Sequence, residues 1–226
     1  TEGVAHTGAL DIFEITEQPH QIRSSTDPTN TGAWTSGISV GDSSSAITGL
    51  AATEEDLIVT KTDGVYRIRI DQTDVLDMVT NLTTELSTTI LPNQFRGVYQ
   101  WQDRVLLPLD NGGMWELDTN TWKLRDISFS IVMPEQTQYH GRICALHGTP
   151  QKLFALVLQS GSTRYHVMQA ELVNLGGKID YAWHHMGTIA YTTGTDANHV
   201  TLYAESIAGD NNDEHDRVWV GVESTG

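Results

Sequence analysis

Apolar residues along this chain fall in short runs. Some alternate with polar residues, and others stay apolar for several positions between turn signals. The segments "GLAATEEDLIVTKTDGVYRIRID" (49–71) and "GVYQWQDRVLLPLDNGGMWELD" (97–118) show both forms. Alternation at period two marks a half-buried strand. A short unbroken apolar run bounded by turn residues marks a strand covered on both sides. The two segments also match each other: Gly49 meets Gly97, Leu57 meets Val105 and Asp63 meets Asn111. One extra glycine in the second copy then brings Gly64 to Gly113 and Tyr66 to Trp115. A looser copy covers 142–172, and another begins at 199–206 and resumes at 216–226.

The repeat predicts a first strand at 49–53, 97–101, 142–147 and 199–205. It predicts a second at 57–61, 105–109, 153–159 and 217–223, and a third at 65–70, 114–118 and 164–171. A fourth follows at 75–80, 122–128 and 181–189. On local pattern "DVLDMVTNL" (74–82) could be a short helix. Its alignment with the Trp122 segment assigns it to a strand, because a repeat keeps one element type in each slot. Gly64 and Gly113 are expected at positive φ in equivalent hairpins. The chain ends fit the same scheme. Residues 8–16 resemble a third strand, with Phe13-Glu14-Ile15 in the place of Trp115-Glu116-Leu117. Residues 32–40 resemble a fourth, with Trp34 in the place of Trp122.

A repeat of about 50 residues carrying four antiparallel strands resembles a β-propeller blade. The expected fold class is therefore all-β. It is a β-propeller, either of four blades with the last shared between the termini or an arc of a larger propeller. One domain, 1–226, would hold blades at 49–90, 95–135 and 141–190, and a fourth at 199–226 completed by 8–40. A shared blade closes the ring and removes exposed sheet edges. The copies carry no WD dipeptide at a strand end, no kelch Gly-Gly doublet in every repeat and no sialidase Ser-x-Asp-x-Gly-x-x-Trp box.

Charge narrows the partners. The chain has 226 residues, with 29 acids against 13 bases and a net charge of −16. Lys and Arg form no cluster, which argues against binding along a phosphate backbone. The longest apolar run, "LFALVL" (153–158), is too short to cross a bilayer, so no membrane insertion is expected. The start lacks both a Met and a signal-peptide pattern, which fits a processed chain or a piece of one. Cys144 is alone, so no intrachain disulfide forms, and its place in "RICALHG" reads as a buried thiol.

Candidate chemistry is sparse. In "GDNNDEHDR" (209–217) the oxygen donors Asp210, Asn212, Glu214 and Asp216 alternate, as calcium ligands do. The EF-hand pattern fails there, since His215 takes the turn-glycine slot and Gly221 stands where a bidentate Glu belongs. A solvated acidic loop is the plainer reading, and weak structural calcium is the one cofactor considered. In "WHHMG" (183–187), adjacent His184 and His185 on a strand point to opposite faces and cannot chelate together. The innermost strands contribute one acid, Glu205, and no nucleophile elbow, phosphate loop or Cys-pair zinc spacing occurs. No catalytic residue is assigned. Trp101 is expected to be the exposed aromatic. With Tyr139 and His140 it forms the candidate ligand-binding set, beside the long connections 80–95 and 128–140.

The Thr/Ser-rich, Lys-poor make-up and degenerate blades resemble phage virion proteins, tail-associated ones above all. That resemblance implies a non-enzymatic structural or interaction propeller in the virion, bound to other virion chains or to itself. The alternative is a secreted, extracellular glycan-binding lectin or glycoside hydrolase, which would gather carboxylates on the channel face. If Asp210, Asn212, Glu214 and Asp216 hold calcium, millimolar Ca²⁺ raises the melting temperature only slightly, by the mass-action gain of a weak site. A flat thermal-melt response leaves the solvated loop standing.

Overall fold

The computed structural model describes residues 3–5, 12–53, 56–70, 76–81, 97–109, 113–127, 141–159, 164–190, 200–208 and 214–222. They form five antiparallel sheets in chain order. Blade one is β1 (Gly3–Ala5), β2 (Ile12–Ile15), β3 (Gln21–Ser25) and β4 (Ile38–Ser39). Blade two is β5 (Ile47–Ala52), β6 (Asp56–Lys61), β7 (Gly64–Ile70) and β8 (Leu76–Asn81). Blade three is β9 (Tyr99–Trp101), β10 (Arg104–Pro108), β11 (Met114–Asp118) and β12 (Lys123–Asp126). Blade four is β13 (Gly141–Gly148), β14 (Lys152–Gln159), β15 (Arg164–Leu175) and β16 (Lys178–Ala190). The last sheet has two strands, β17 (Val200–Ala208) and β18 (Glu214–Val222). The one helical piece among the described residues is a 3-10 turn at Thr31–Ala33. Residues 76–81 are strand, as their slot in the repeat requires.

Period-two alternation explains how the sheets stack. In β6, Leu57 and Val59 pack with Phe13 and Ile22 of blade one, while Ile58 between them packs with Val105 and Leu107 of blade three. In β10 the same division sends Leu106 to blade four, where it meets Ile143 and Val157. In β14, Leu153 and Ala155 face blade three, and Phe154 and Leu156 face Leu202 of β17. The second strand of each inner blade therefore carries an unbroken apolar run, because both of its faces are core there. Each Leu, Ile or Val so buried contributes roughly 1.5–3 kcal/mol.

The innermost strands come closest together. A Cβ added to Gly97 would sit 2.1 Å from Thr60 Oγ1 and 2.2 Å from Thr48 Oγ1. Gly49, whose added Cβ would sit 2.8 Å from Val98 Cγ1, and Gly97 thus mark close approach of blades two and three. The connection between blades one and two is tied down by a polar contact. Lys61, fully buried, donates from Nζ to the carbonyls of Val40 (2.6 Å) and Asp42 (2.5 Å). These bonds hold its ammonium without water, which burial otherwise forbids.

Three sequence expectations are corrected. Residues 12–15 are not a third strand beside the C-terminal segment. They pair with β1 and β3 in a four-stranded sheet of their own, with β4 at its edge. Among the described residues, β17 and β18 pair only with each other, so no blade shared by 199–226 and 8–40 forms. Gly64 and Gly113 do occupy equivalent hairpins. Gly64 pairs with Lys61, and Gly113 O accepts from Leu109 N at 2.9 Å. Among the described residues, positive φ occurs at Gly41, Gly176, Gly177, Gln102 and Trp122.

Trp101 is the third correction. It is 3% exposed, and its indole N–H donates to Thr149 O at 2.7 Å, across to the first hairpin of blade four. Gln102 Nε2 donates to Pro150 O alongside (2.7 Å), and the Tyr99 hydroxyl accepts from Gly148 N at 2.8 Å. The ring lies flush on Gly148, where an added Cβ would come within 2.2 Å of Trp101 Cδ1. Gly148→Ala is expected to lower stability by about 1–3 kcal/mol, the usual cost of overpacking. Gly187→Ala, with nothing within 4 Å of its added Cβ, should stay within about 0.5 kcal/mol of the parent. Urea-unfolding midpoints of the two variants, at unchanged slope, check the difference.

Candidate functional site

A cavity of about 340 Å³ lies on blade three, lined in part by Asp103, Arg104, Glu116, Asp118, Lys123 and Arg125. The strands place its charges. Arg104 of β10 and Glu116 of β11 stand on the face turned to blade four, as does Leu106, the direct neighbour of Glu116 across the sheet. Arg125 is opposite Glu116 on β12. Arg104 Nη1 donates to Glu116 Oε1 at 2.5 Å, and Arg125 Nη2 donates to Oε2 at 2.6 Å. Arg125 also donates from Nη1 to Ile179 O of blade four at 2.7 Å.

Tyr181 of β16 closes this network from the next blade. Its ring lies 6.0 Å from the Arg104 guanidinium and 5.6 Å from that of Arg125. It continues into an aromatic row, with Trp101 at 6.2 Å and Trp183 at 6.5 Å between ring centroids. The buried Tyr181 hydroxyl makes no hydrogen bond of ordinary geometry. Burial pushes its phenol well above the ordinary value of 10.0, and the Glu116 carboxylate adds in the same direction.

Blade two repeats the device. Arg67 holds Asp56 with two bonds, 2.8 and 3.0 Å, and its guanidinium stacks 3.8 Å from the Trp122 ring centroid of blade three. An ion pair between the second and third strands, covered by an aromatic at the fourth strand of the next blade, thus occurs twice. Blade four carries an ion pair between the same two strands, Lys152 and its direct cross-strand partner Glu171, 3.6 Å apart. At the mouth of the cavity Asp118 caps its own turn, accepting from Asn120 N, Thr121 N and Thr121 Oγ1. The Thr121 and Asn120 bonds hold its carboxyl below the usual range.

Both Glu116 oxygens are occupied by arginine, so this carboxylate is not a free base. The site offers fixed guanidinium edges beside an aromatic ring, which suits holding a polar group rather than moving a proton. Sequence reasoning missed these residues. The signal was faint: an acid and a base on adjacent strands, with the covering aromatic one blade further on.

The residues singled out from sequence are scattered. Trp101 is buried under the first hairpin of blade four and is not open to a ligand. Tyr139, His140, Asp210 and Asn212 lie outside the described residues. Glu214 and Asp216 are positions of β18, opposite Ala208 and Ser206, so this half of the expected acidic loop is strand. Glu205 lies in β17 opposite Arg217. Cys144 is buried, as expected. Among the described residues no three His, Cys, Asp or Glu side chains converge as a metal cluster.

No protein-family model matches the chain, and no curated protein does. Solved structures do. The N-terminal domain of Nup159 superimposes with a TM-score of 0.51 at 8% identity, over 97% of this chain and 57% of that one. A chain of the S. cerevisiae complex of Dbp5 with Nup159 and Gle1 matches at 0.49 and 7%, over 99% and 57%. A prolyl endopeptidase matches at 0.49 and 12%, over 98% and 39%. The chain thus spans a little over half the length of the first two. With its stacked four-stranded meanders, it defines an all-β propeller fold.

Tyr181 supplies a test by pH. The native state holds its phenol proton more tightly than the unfolded chain does. Its contribution is therefore fully present below the ordinary value of 10.0 and is lost as pH rises toward the higher native value. Urea midpoints measured from neutral pH to about pH 11 should fall less steeply for Tyr181→Phe than for the parent. Parallel slopes would show that the phenol is not held protonated.

Proposed function

We propose that the chain is a non-enzymatic interaction propeller that docks other protein chains through the flank formed by blade four and the two-stranded sheet. One observation carries this reading. Among the described residues, the exposed large apolar side chains all lie on that flank: Leu175, Ile179, Met186, Tyr203 and Trp219.

The flank has two parts. β14 stops pairing with β15 at Lys152↔Glu171, but β15 and β16 continue from Leu172↔Tyr181 to Leu175↔Lys178 as a two-stranded arm. Gly176 and Gly177, at φ 64° and 91°, make its tight turn, since positive φ at both central residues suits the strand twist. Leu175 at the tip is 64% exposed. On the two-stranded sheet, Leu202, Val218 and Val220 face blade four, which leaves Tyr203 and Trp219 on the other side. They face each other across the strands, 5.4 Å apart and 50% and 43% exposed, with His147 packed 4.8 Å from Tyr203. Tyr, Trp and Met are the residues that interfaces favour.

A virion setting, with other virion chains or further copies as partners, rests on the Thr/Ser-rich, Lys-poor composition. Cross-linking of the intact assembly that contains the chain tests it, and the expected cross-links involve the arm and the Tyr203–Trp219 face. Tyr203→Ser with Trp219→Ser should weaken binding of the cross-linked partner at least about tenfold, as loss of aromatic hot spots does, without lowering the melting temperature. Turnover of a glycan or ester by the purified chain, abolished by Glu205→Gln, would overturn the non-enzymatic reading.

A further inference from the structure

We propose that His166, His185 and Thr188 form a binding site for a divalent transition-metal ion, Zn²⁺ in the first instance. The site lies at the end of blade four remote from the Arg104–Glu116–Arg125 network. Its foundation is a break in strand regularity. Val167 pairs with Gly187 while Met168 pairs with His185, so Met186 is an extra residue in β16. In a regular strand, positions three apart face opposite sides of the sheet. The inserted residue puts His185 and Thr188 on the same side, and Thr188 pairs directly with His166 of β15. Bulges commonly re-aim side chains in this way beside functional sites.

Three donor atoms result, nearly equidistant. His166 Nδ1 lies 3.1 Å from His185 Nε2, and Thr188 Oγ1 lies 3.2 Å from the first and 3.4 Å from the second. The rings meet at 50° with centroids 5.2 Å apart. A proton shared by the imidazoles uses one edge, and the single hydroxyl proton serves one more. A cation at the centre takes a lone pair from all three atoms at once. For a tetrahedral ion with bonds of about 2.0–2.1 Å, donors stand about 3.3 Å apart, close to the spacings found. Paired imidazoles select Zn²⁺, Cu²⁺ or Ni²⁺, whereas Ca²⁺ and Mg²⁺ take oxygen cages. His166 is buried and Thr188 exposed, so the remaining position opens to solvent, where water or a partner's side chain completes the shell.

His184 provides an internal control. It precedes His185, is exposed, and points to the opposite face. The test uses the whole chain stripped with a chelator and titrated with Zn²⁺, followed by calorimetry and by melting temperature. Co²⁺ in its place gives a visible absorption spectrum of the bound ion. The expected result is a Zn²⁺-dependent rise in melting temperature for the parent and for His184→Gln. For His185→Gln and Thr188→Val, affinity should fall at least about tenfold, no less than the loss of an outer partner to a ligand costs. His185 is half-buried on the outermost strand of its sheet, so His185→Gln keeps the metal-free melting temperature near that of the parent. Equal Zn²⁺ affinity in the parent and His185→Gln overturns the proposal. So does a parent whose melting temperature Ca²⁺ raises as much as Zn²⁺ does at the same concentration.

Discussion

Every inner sheet of this protein needs a neighbour on each side. The second strands make that requirement acute. All six residues of β6 are buried, and the same holds for Leu153–Val157 in β14. A sheet with two apolar faces cannot stand in water, nor can it be satisfied by one partner. It has to be one member of a stack. Each cluster of the core belongs to two successive blades, and no blade owns a core of its own. Stability is then distributed along the stack, much as in other repeat proteins, where interfaces between neighbours carry the cooperativity.

Apolar faces alone would let the blades slide past one another. The polar ties between them remove that freedom. Lys61 fixes the connection at Val40 and Asp42 to blade two. Arg67 stacks on Trp122, and Arg104 and Arg125 flank Tyr181. Trp101 and Gln102 bind the carbonyls of Thr149 and Pro150. In each case a directional bond or ring contact from one blade ends on the next. Half-buried guanidiniums suit the task, since a planar fork holds a carboxylate and stacks on an aromatic at once. The charge network beside the cavity is thus first a joint, and any ligand it receives is held against a rigid wall.

Blade four differs from the blades before it. Its outer strands run to 12 and 13 residues, where those of blade three have 5 and 4. The added length yields an apolar arm at one end and the bulged His166–His185–Thr188 triangle at the other. The exposed aromatics of β17 and β18 adjoin the same blade. Variation on a repeating scaffold is the usual place for function, because the scaffold tolerates it. Here the departures from the repeat gather in blade four and the two-stranded sheet beside it, the elements that carry the proposed docking surface and the proposed metal site.

Period-two patterning and the self-match of the chain were enough to place the strands. The strand slots from 47 to 222 were readable, including Leu76–Asn81, whose local pattern also suits a helix. These features are local or repeat at a set interval, so they survive in a single sequence. Pairing of the ends did not follow. Phe13-Glu14-Ile15 looks like Trp115-Glu116-Leu117, but similarity of pattern does not choose a sheet partner, and β2 found its own in β1 and β3. Trp101 read as exposed because the hairpin of Thr149 that covers it lies 48 residues away. His184 and His185 were rightly placed on opposite faces, yet the convergence of His185 with His166 and Thr188 depends on one extra residue in β16. What the sequence by itself determined was the alternation, hence the strands and the need to stack. Which strands meet, which side chains the stack hides and where a bulge reverses the alternation were decided only in the tertiary structure, because each depends on contacts between residues that the chain keeps far apart.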